Sequence, residues 1–414
     1  MAFSLAVLVL LCLLVDSFFT RLKIPPLVGM LGIGFLLGPQ LLNQLDPSLL
    51  VVGSDLRLVA LIVILLRSGF ELSAESVRKV GLQAVLLSFV PALFEATSVM
   101  VLAPILLDLG RMESLLLGCV LAAVSPAVVV PAMVQLIKEQ RGAKKGLPTL
   151  VLAGASMDDV TVIVAYSIVL GLYLGDSVSI AWSIAGIPLG IALGLLSGII
   201  IGLVLIRLFV RFNPRATKRA LIVLGISIVL VHGSERLKDF NIPFAALLSV
   251  MAIGFIILLK KEHMAHELSS KFGKIWVFAQ IVLFTMVGAQ VDFSAVRSIG
   301  LSAVVLILLA LVFRSIGTFL CTLGAGFTAK EKLFVVISYL PKATVQAAIG
   351  AAPLYAMSRR GMDTSFGELV LAVAVLAILI TAPLGAFAIS WAGRNLLSIE
   401  VDEIAAIASI VESE

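Results

Sequence analysis

Two adjacent acids, Asp158 and Asp159, stand inside the apolar stretch Leu150–Leu174, with Gly154, Ala155 and Ser156 just before them. An ionised group at the centre of a bilayer is costly enough that each one needs a partner, a cavity or a task. Consecutive helical residues differ by about 100° in direction. The two carboxylates therefore cannot aim at one point, yet both can border one cavity. A carboxylate held there accepts either a proton or a desolvated alkali cation. Competition between the two is sufficient chemistry for exchanging one against the other. A structural pair tied to neighbouring hydroxyl or guanidinium groups is the plainer alternative, but two adjacent acids cost more than structure alone requires.

Three further charges lie in apolar runs: Glu95, Arg314 and Lys342. Glu95 and Arg314 occupy equivalent places in a weak internal repeat, which would bring them face to face as a mid-membrane ion pair. A structural clamp is one role for that pair and participation in the proton cycle the other; an arginine would not release its proton as a lysine can. Pro126 and Pro341 interrupt two apolar runs at matching depth, in Ala122-Ala123-Val124-Ser125-Pro126 and Leu340-Pro341-Lys342-Ala343-Thr344. Proline removes a backbone donor and disrupts a helix, so freed carbonyls, Ser125 and Thr344 become candidate ligands for a bare cation. Lys342 would offset the negative ends of the broken helices and the nearby acids. A pair of ordinary proline kinks is the competing reading.

The elements that must position these residues are membrane helices. Of 414 residues, 61% are hydrophobic and 13% charged, and the mean hydropathy is +1.17. Soluble domains carry roughly twice that charged share, and apolar runs long enough for a ~30 Å hydrocarbon core recur throughout. About thirteen spans are expected, near 3–20, 26–42, 56–72, 82–107, 114–137, 148–174, 178–211, 219–235, 240–259, 275–291, 299–323, 331–357 and 367–393. The first reads as a retained span rather than a cleaved signal. The net charge of +5 follows from basic cytoplasmic loops, not from nucleic-acid binding. Of thirty Lys and Arg, twenty fall on one side, seven on the other, and Arg67, Arg314 and Lys342 within spans. That bias puts the N-terminus outside and the C-terminus in the cytoplasm. Arg67, near the end of the third span, can snorkel to the interface. His263 and His266 read as a solvated loop face.

The repeat rests on four matches. Ile24-Pro25 recurs as Ile242-Pro243, Gly69-Phe70 as Gly288-Ala289, Phe94-Glu95 as Phe313-Arg314 and Pro126-Ala127 as Pro341-Lys342-Ala343, at offsets of 218, 219, 219 and 215 residues. A shift of seven spans is odd, so the second unit must be inverted, a build that suits alternating access. The seventh span joins the units and carries Gly186, Gly190, Gly194, Gly198 and Gly202, a rhythm for close helix contact. Cys12, Cys119 and Cys321 lack ligand spacing and read as buried thiols. No phosphate loop, nucleophile elbow or metal cluster is present, and neither an enzyme activity nor a cofactor is expected.

The strings Leu121-Ala122-Ala123-Val124-Ser125-Pro126-Ala127-Val128-Val129-Val130-Pro131, Met157-Asp158-Asp159 and Leu340-Pro341-Lys342-Ala343-Thr344-Val345-Gln346-Ala347-Ala348 resemble the monovalent cation:proton antiporter superfamily, in particular its NHA-type sodium/proton exchanger branch. The resemblance runs from about residue 20 to 393. It implies an all-α polytopic fold of two inverted repeats with crossed, discontinuous fifth and twelfth spans. It further implies a homodimer in the inner or plasma membrane, built from scaffold helices (1–80 and 216–298), a mobile core (81–175 and 299–393), a linker (176–215) and a cytoplasmic tail (394–414). By this likeness Asp159 is the principal Na⁺ or Li⁺ and proton carboxylate, with Asp158 beside it and Glu95–Arg314 as the nearby ion pair, in an elevator-type exchange serving pH homeostasis. K⁺/H⁺ exchange is the alternative within transport; a cation channel or a non-transporting sensor is the alternative outside it.

Overall fold

The computed structural model describes residues 1–22, 25–71, 74–174, 180–238, 244–290 and 293–399. Ile24, Ile242 and Pro243 of the repeat and tail residues 400–414 lie outside them. The described chain is helical, with one isolated bridge between Arg141 and Ile399. In order the helices are α1 (Ala2–Arg21), α2 (Pro26–Leu37), α3 (Pro47–Glu71), α4 (Ala74–Leu87), α5 (Val90–Leu107), α6 (Arg111–Leu121), α7 (Pro126–Lys138) and α8 (Leu147–Tyr173). There follow α9 (Ile180–Phe212), α10 (Ala216–Lys238), α11 (Ala246–Lys260), α12 (Glu262–Ala289), α13 (Phe293–Cys321), α14 (Ala329–Ser338), α15 (Thr344–Ile349), α16 (Ala352–Arg359) and α17 (Ser365–Leu396). Nine helical stretches among the described residues are long and apolar enough to cross a membrane, ten if the bent pair within α3 counts as one. The solvent-facing surface is apolar: Phe3, Ile105, Leu301 and Phe387 are 81%, 77%, 82% and 73% exposed. Meanwhile Glu95, Asp158, Arg314 and Lys342 are buried. Water would reject that distribution and hydrocarbon requires it. The protein is a multi-pass membrane protein.

Packing follows the repeat. α2 lies on α12 and α3 on α11, while α3 pairs with α12 and α5 with α13; this is the pattern a two-fold exchange of the units produces. Glycines permit the approaches. A Cβ on Gly34 would meet the Thr285 carbonyl at 2.1 Å, and one on Gly69 the Met251 carbonyl at 2.4 Å. Along α9, Cβ atoms on Gly194, Gly198 and Gly202 would strike Ala245, Ser249 and Ile256 at 2.6, 2.5 and 1.9 Å, so packing accounts for these three glycines.

Several boundaries differ from the sequence expectation, each for a local reason. Asp46 caps α3 by accepting from the Ser48 N–H at 2.9 Å, with Pro47 in the first turn. The helix therefore starts nine residues before the expected span, at Pro47 rather than 56, and buries Arg57 inside it instead of leaving it at a loop edge. α12 begins at Glu262, so His263 and His266 sit on its exposed first turns, each within reach of a glutamate one turn away (Glu267 and Glu262), rather than in a loop. The expected 82–107 segment breaks between α4 and α5, ahead of Pro91.

Candidate functional site

The fifth expected span stops at Leu121 and resumes at Pro126; the twelfth stops at Ser338 and resumes at Thr344. The two unwound stretches touch: the Ser125 N–H donates to the Pro341 carbonyl at 2.8 Å. The Ser125 and Thr344 hydroxyls lie 3.4 Å apart. On the far side, a Cβ on Gly385 of α17 would lie 2.4 Å from Pro341, and the Thr381 hydroxyl accepts from the Lys342 N–H at 2.8 Å. Small residues on α17 thus let the second break sit against it.

A broken helix leaves its last carbonyls without partners, and here two side chains take them up. The Arg314 Nε donates to the Tyr339 carbonyl at 2.6 Å, and its Nη1 to the Ala122 carbonyl. Gln346 Nε2 reaches the Ala123 carbonyl at 2.9 Å and the Val120 and Leu121 carbonyls at 3.3 Å. One guanidinium therefore closes the ends of both α6 and α14. Of the two tasks the sequence suggested for Lys342, its Nζ takes up the one toward the acids, lying 2.5 Å from Glu95 Oε2.

The acids complete the cluster. Arg314 Nη1 lies 2.9 Å from Glu95 Oε2, and Nη2 lies 3.1 Å from Asp158 Oδ2. Asp158 Oδ2 also accepts from the Val124 N–H at 2.7 Å. Glu95 and Arg314 are 219 residues apart, the offset of their segment of the repeat, so this contact joins equivalent positions. Asp158 is fully buried and Asp159 3% exposed. Among the described residues seven buried side-chain polar atoms lack a hydrogen-bond partner; four of them are Asp158 Oδ1, Asp159 Oδ1, Tyr339 OH and Gln346 Oε1. Buried polar atoms are normally satisfied, so a concentration of free oxygens marks a place suited to a hard cation, a proton or water.

Two cavities lie at opposite ends of α3 and α12. One, of about 750 Å³, runs between α1–α3, α12, α7 and α17 and reaches Pro126, Ala127 and Val128, but not the aspartates themselves. Asp16, Arg67, Gln135 and Gln280 supply its polar wall. Asp16 was missed in the sequence because it falls near the end of an otherwise continuous apolar run. At the other end lies a cavity of about 410 Å³ bordered by Gln290, Tyr355, Ser358 and Glu368. There the Arg57 Nη1 donates to Gln290 Oε1 at 2.5 Å, Gln290 Nε2 donates to the Tyr355 hydroxyl, and the guanidinium lies 4.5 Å from the Tyr355 ring centre.

The chain matches the family described as sodium/hydrogen exchanger, transmembrane, over residues 6–395. It belongs to that family. Among exchanger relatives, sodium/hydrogen exchanger 9B2 of Mus musculus is 34% identical over 388 residues, spanning 92% of this chain and 70% of that one. The 9B2 protein of Bison bison bison is 37% identical over 381 residues, 90% of this chain and 70% of its own. The sodium proton antiporter MjNhaP1 of Methanocaldococcus jannaschii at pH 8 superimposes with a TM-score of 0.82, covering 95% of this chain and 96% of its own at 20% identity; the exchanger fold is shared. Membership puts the chain among transporters rather than enzymes.

Proposed function

We propose that the chain exchanges Na⁺ or Li⁺ for protons across the cell membrane, the two competing for Asp159 and Asp158. The observation that carries this reading is the buried cluster at the two helix breaks. Glu95 and Asp158 are paired with two basic groups, Arg314 and Lys342, and Asp159 adjoins Asp158 as a third buried carboxylate. With all five ionised the cluster carries one excess negative charge in a medium that penalises it. One monovalent cation, H⁺ or Na⁺, neutralises that charge; two together overshoot. Asp159 is the principal carboxylate in this scheme because Asp158 is already engaged by Arg314 and the Val124 N–H. Ser125, Thr344, freed carbonyls and water complete the shell of a bound cation.

The thirteen spans are then arranged with crossed fifth and twelfth members, the N-terminus outside and the C-terminus inside. α1–α3 with α10–α12 form the scaffold, and α4–α8 with α13–α17 form a core that moves against it. The larger cavity, at the basic end, is the cytoplasmic approach. The Arg57–Gln290–Tyr355 triangle shuts the outer end and must open for the core to complete its travel. Reconstituted protein should acidify or alkalinise vesicles in response to a Na⁺ or Li⁺ gradient, and Asp159→Asn should abolish the response. Persistent exchange in that variant removes Asp159 from its role; flux independent of protons would make the chain a channel, and K⁺ preferred over Na⁺ would reassign the substrate.

A further inference from the structure

We infer that the hydroxyl of Tyr339 is a further member of the cation and proton site, acting on the Oδ1 side of Asp158; this rests on the function proposed for the aspartate pair. Tyr339 is fully buried at the end of α14, and its hydroxyl has no hydrogen-bond partner. A tyrosine buried for packing alone would be a phenylalanine at no loss, since an unsatisfied buried hydroxyl costs free energy.

The position of that hydroxyl is set by α8. A Cβ built on Gly154 would lie 2.1 Å from the Tyr339 oxygen, so the phenol tip rests directly on the Gly154 backbone, where only glycine leaves room. Asp158 is four residues further along the same helix. Residues four apart share a face, and helical side chains tilt towards the N-terminus, so the Asp158 carboxylate leans back over the turn that the phenol occupies. Arg314 fixes the same neighbourhood from a second direction. Its guanidinium lies 5.5 Å from the Tyr339 ring centre and donates both to the Tyr339 carbonyl and to Asp158 Oδ2. Oδ2 is thereby occupied, while Asp158 Oδ1 and the Tyr339 hydroxyl are both buried and both free.

A phenol suits two occupants of such a gap. It donates a hydrogen bond to an ionised carboxylate, directly or through one water, and its oxygen offers a lone pair to an alkali cation or to a protonated acid. Tyr339 therefore bears on which of the two competing cations Asp158 and Asp159 hold.

Tyr339→Phe keeps the ring, its packing and its contact with Arg314, and deletes only the hydroxyl. Four readouts on the reconstituted or detergent-purified protein test the idea. The half-saturating Na⁺ concentration of exchange should rise roughly three- to tenfold, the worth of one hydrogen bond, and the pH profile should be displaced, with maximal rate largely retained. The melting temperature without Na⁺ should stay the same or rise, because an unsatisfied group has been removed. The increase in melting temperature on adding Na⁺ should shrink, since ligand stabilisation follows occupancy. Unchanged Na⁺ dependence and pH profile would overturn the proposal. So would a lowered melting temperature without Na⁺, which would make the hydroxyl a structural group. If the unmodified protein itself shows no Na⁺-driven proton movement, the exchange reading fails first, and that result is distinguishable from a silent Y339F.

Discussion

Arg314 does more in the folded chain than its sequence position indicated. Its place in the repeat pointed to Glu95, and the structure holds the two 2.9 Å apart. Its bonds to Asp158 and to two backbone carbonyls were not legible, because they depend on where two unwound segments meet in space. Likewise Gln346 was visible only as part of a motif, and the carbonyls it satisfies lie more than 220 residues away. Gly154 illustrates the same gap. It reads as a small residue before two acids, whereas its missing Cβ makes room for a tyrosine from the other half of the chain. Gly154→Ala should therefore destabilise the protein by about 1–3 kcal/mol through overpacking, and Tyr339→Phe in the same chain should restore much of the loss. The contacts that remain to the added methyl, Leu87 at 3.0 Å and the ring Cζ at 3.4 Å, are milder. Melting temperatures of the two single variants and the double variant make a cycle. Additive losses would place the tyrosine tip away from Gly154.

At the scale of elements, the two prolines announced the breaks well. Pro126 and Pro341 each lie at or beside a resumed helix, and both halves of each interrupted span form. What composition did not reveal was length. α3 and α12 extend past their apolar segments because capping and charged first turns satisfy helix ends in the interface, where hydropathy gives no signal. The breaks are held by Arg314, and the prediction at this scale concerns that residue. Arg314→Ala strips donors from Glu95, Asp158 and two helix ends at once, leaving the buried cluster with two excess negative charges rather than one. Breaking a buried pair from one side typically costs about 3–5 kcal/mol. Glu95→Gln combined with Arg314→Ala returns the formal charge to that of the native cluster, with Lys342 now facing the aspartates alone. The double variant should be more thermostable than Arg314→Ala, although neither recovers the carbonyl bonds. Arg314→Lys should not substitute, since one ammonium lacks the fork that reaches both breaks. Equal melting temperatures for Arg314→Ala and the native chain would dismiss the clamp.

For the molecule as a whole, the class of fold was plain from apolar runs, whereas the lysine and arginine bias gives only an expected orientation of the ends. The unequal cavities were not readable, because they arise between helices remote in sequence: α3 with α16 and α12 at one end, α1 with α7 and α17 at the other. Their inequality has a thermodynamic consequence under alternating access. If the Arg57–Gln290–Tyr355 triangle holds the outer end shut, the state that binds outside Na⁺ is the minor one, and its apparent affinity is reduced by its small population. Tyr355→Phe deletes the hydroxyl that accepts from Gln290 while keeping the ring beneath Arg57. It should therefore raise the population open to the outside, lowering half-saturating Na⁺ on that face and raising it on the cytoplasmic face, in opposite directions by linkage. Sided vesicles with oriented protein measure both constants. A change of the same sign on the two faces would mean that the triangle stabilises the protein generally instead of one of its two orientations.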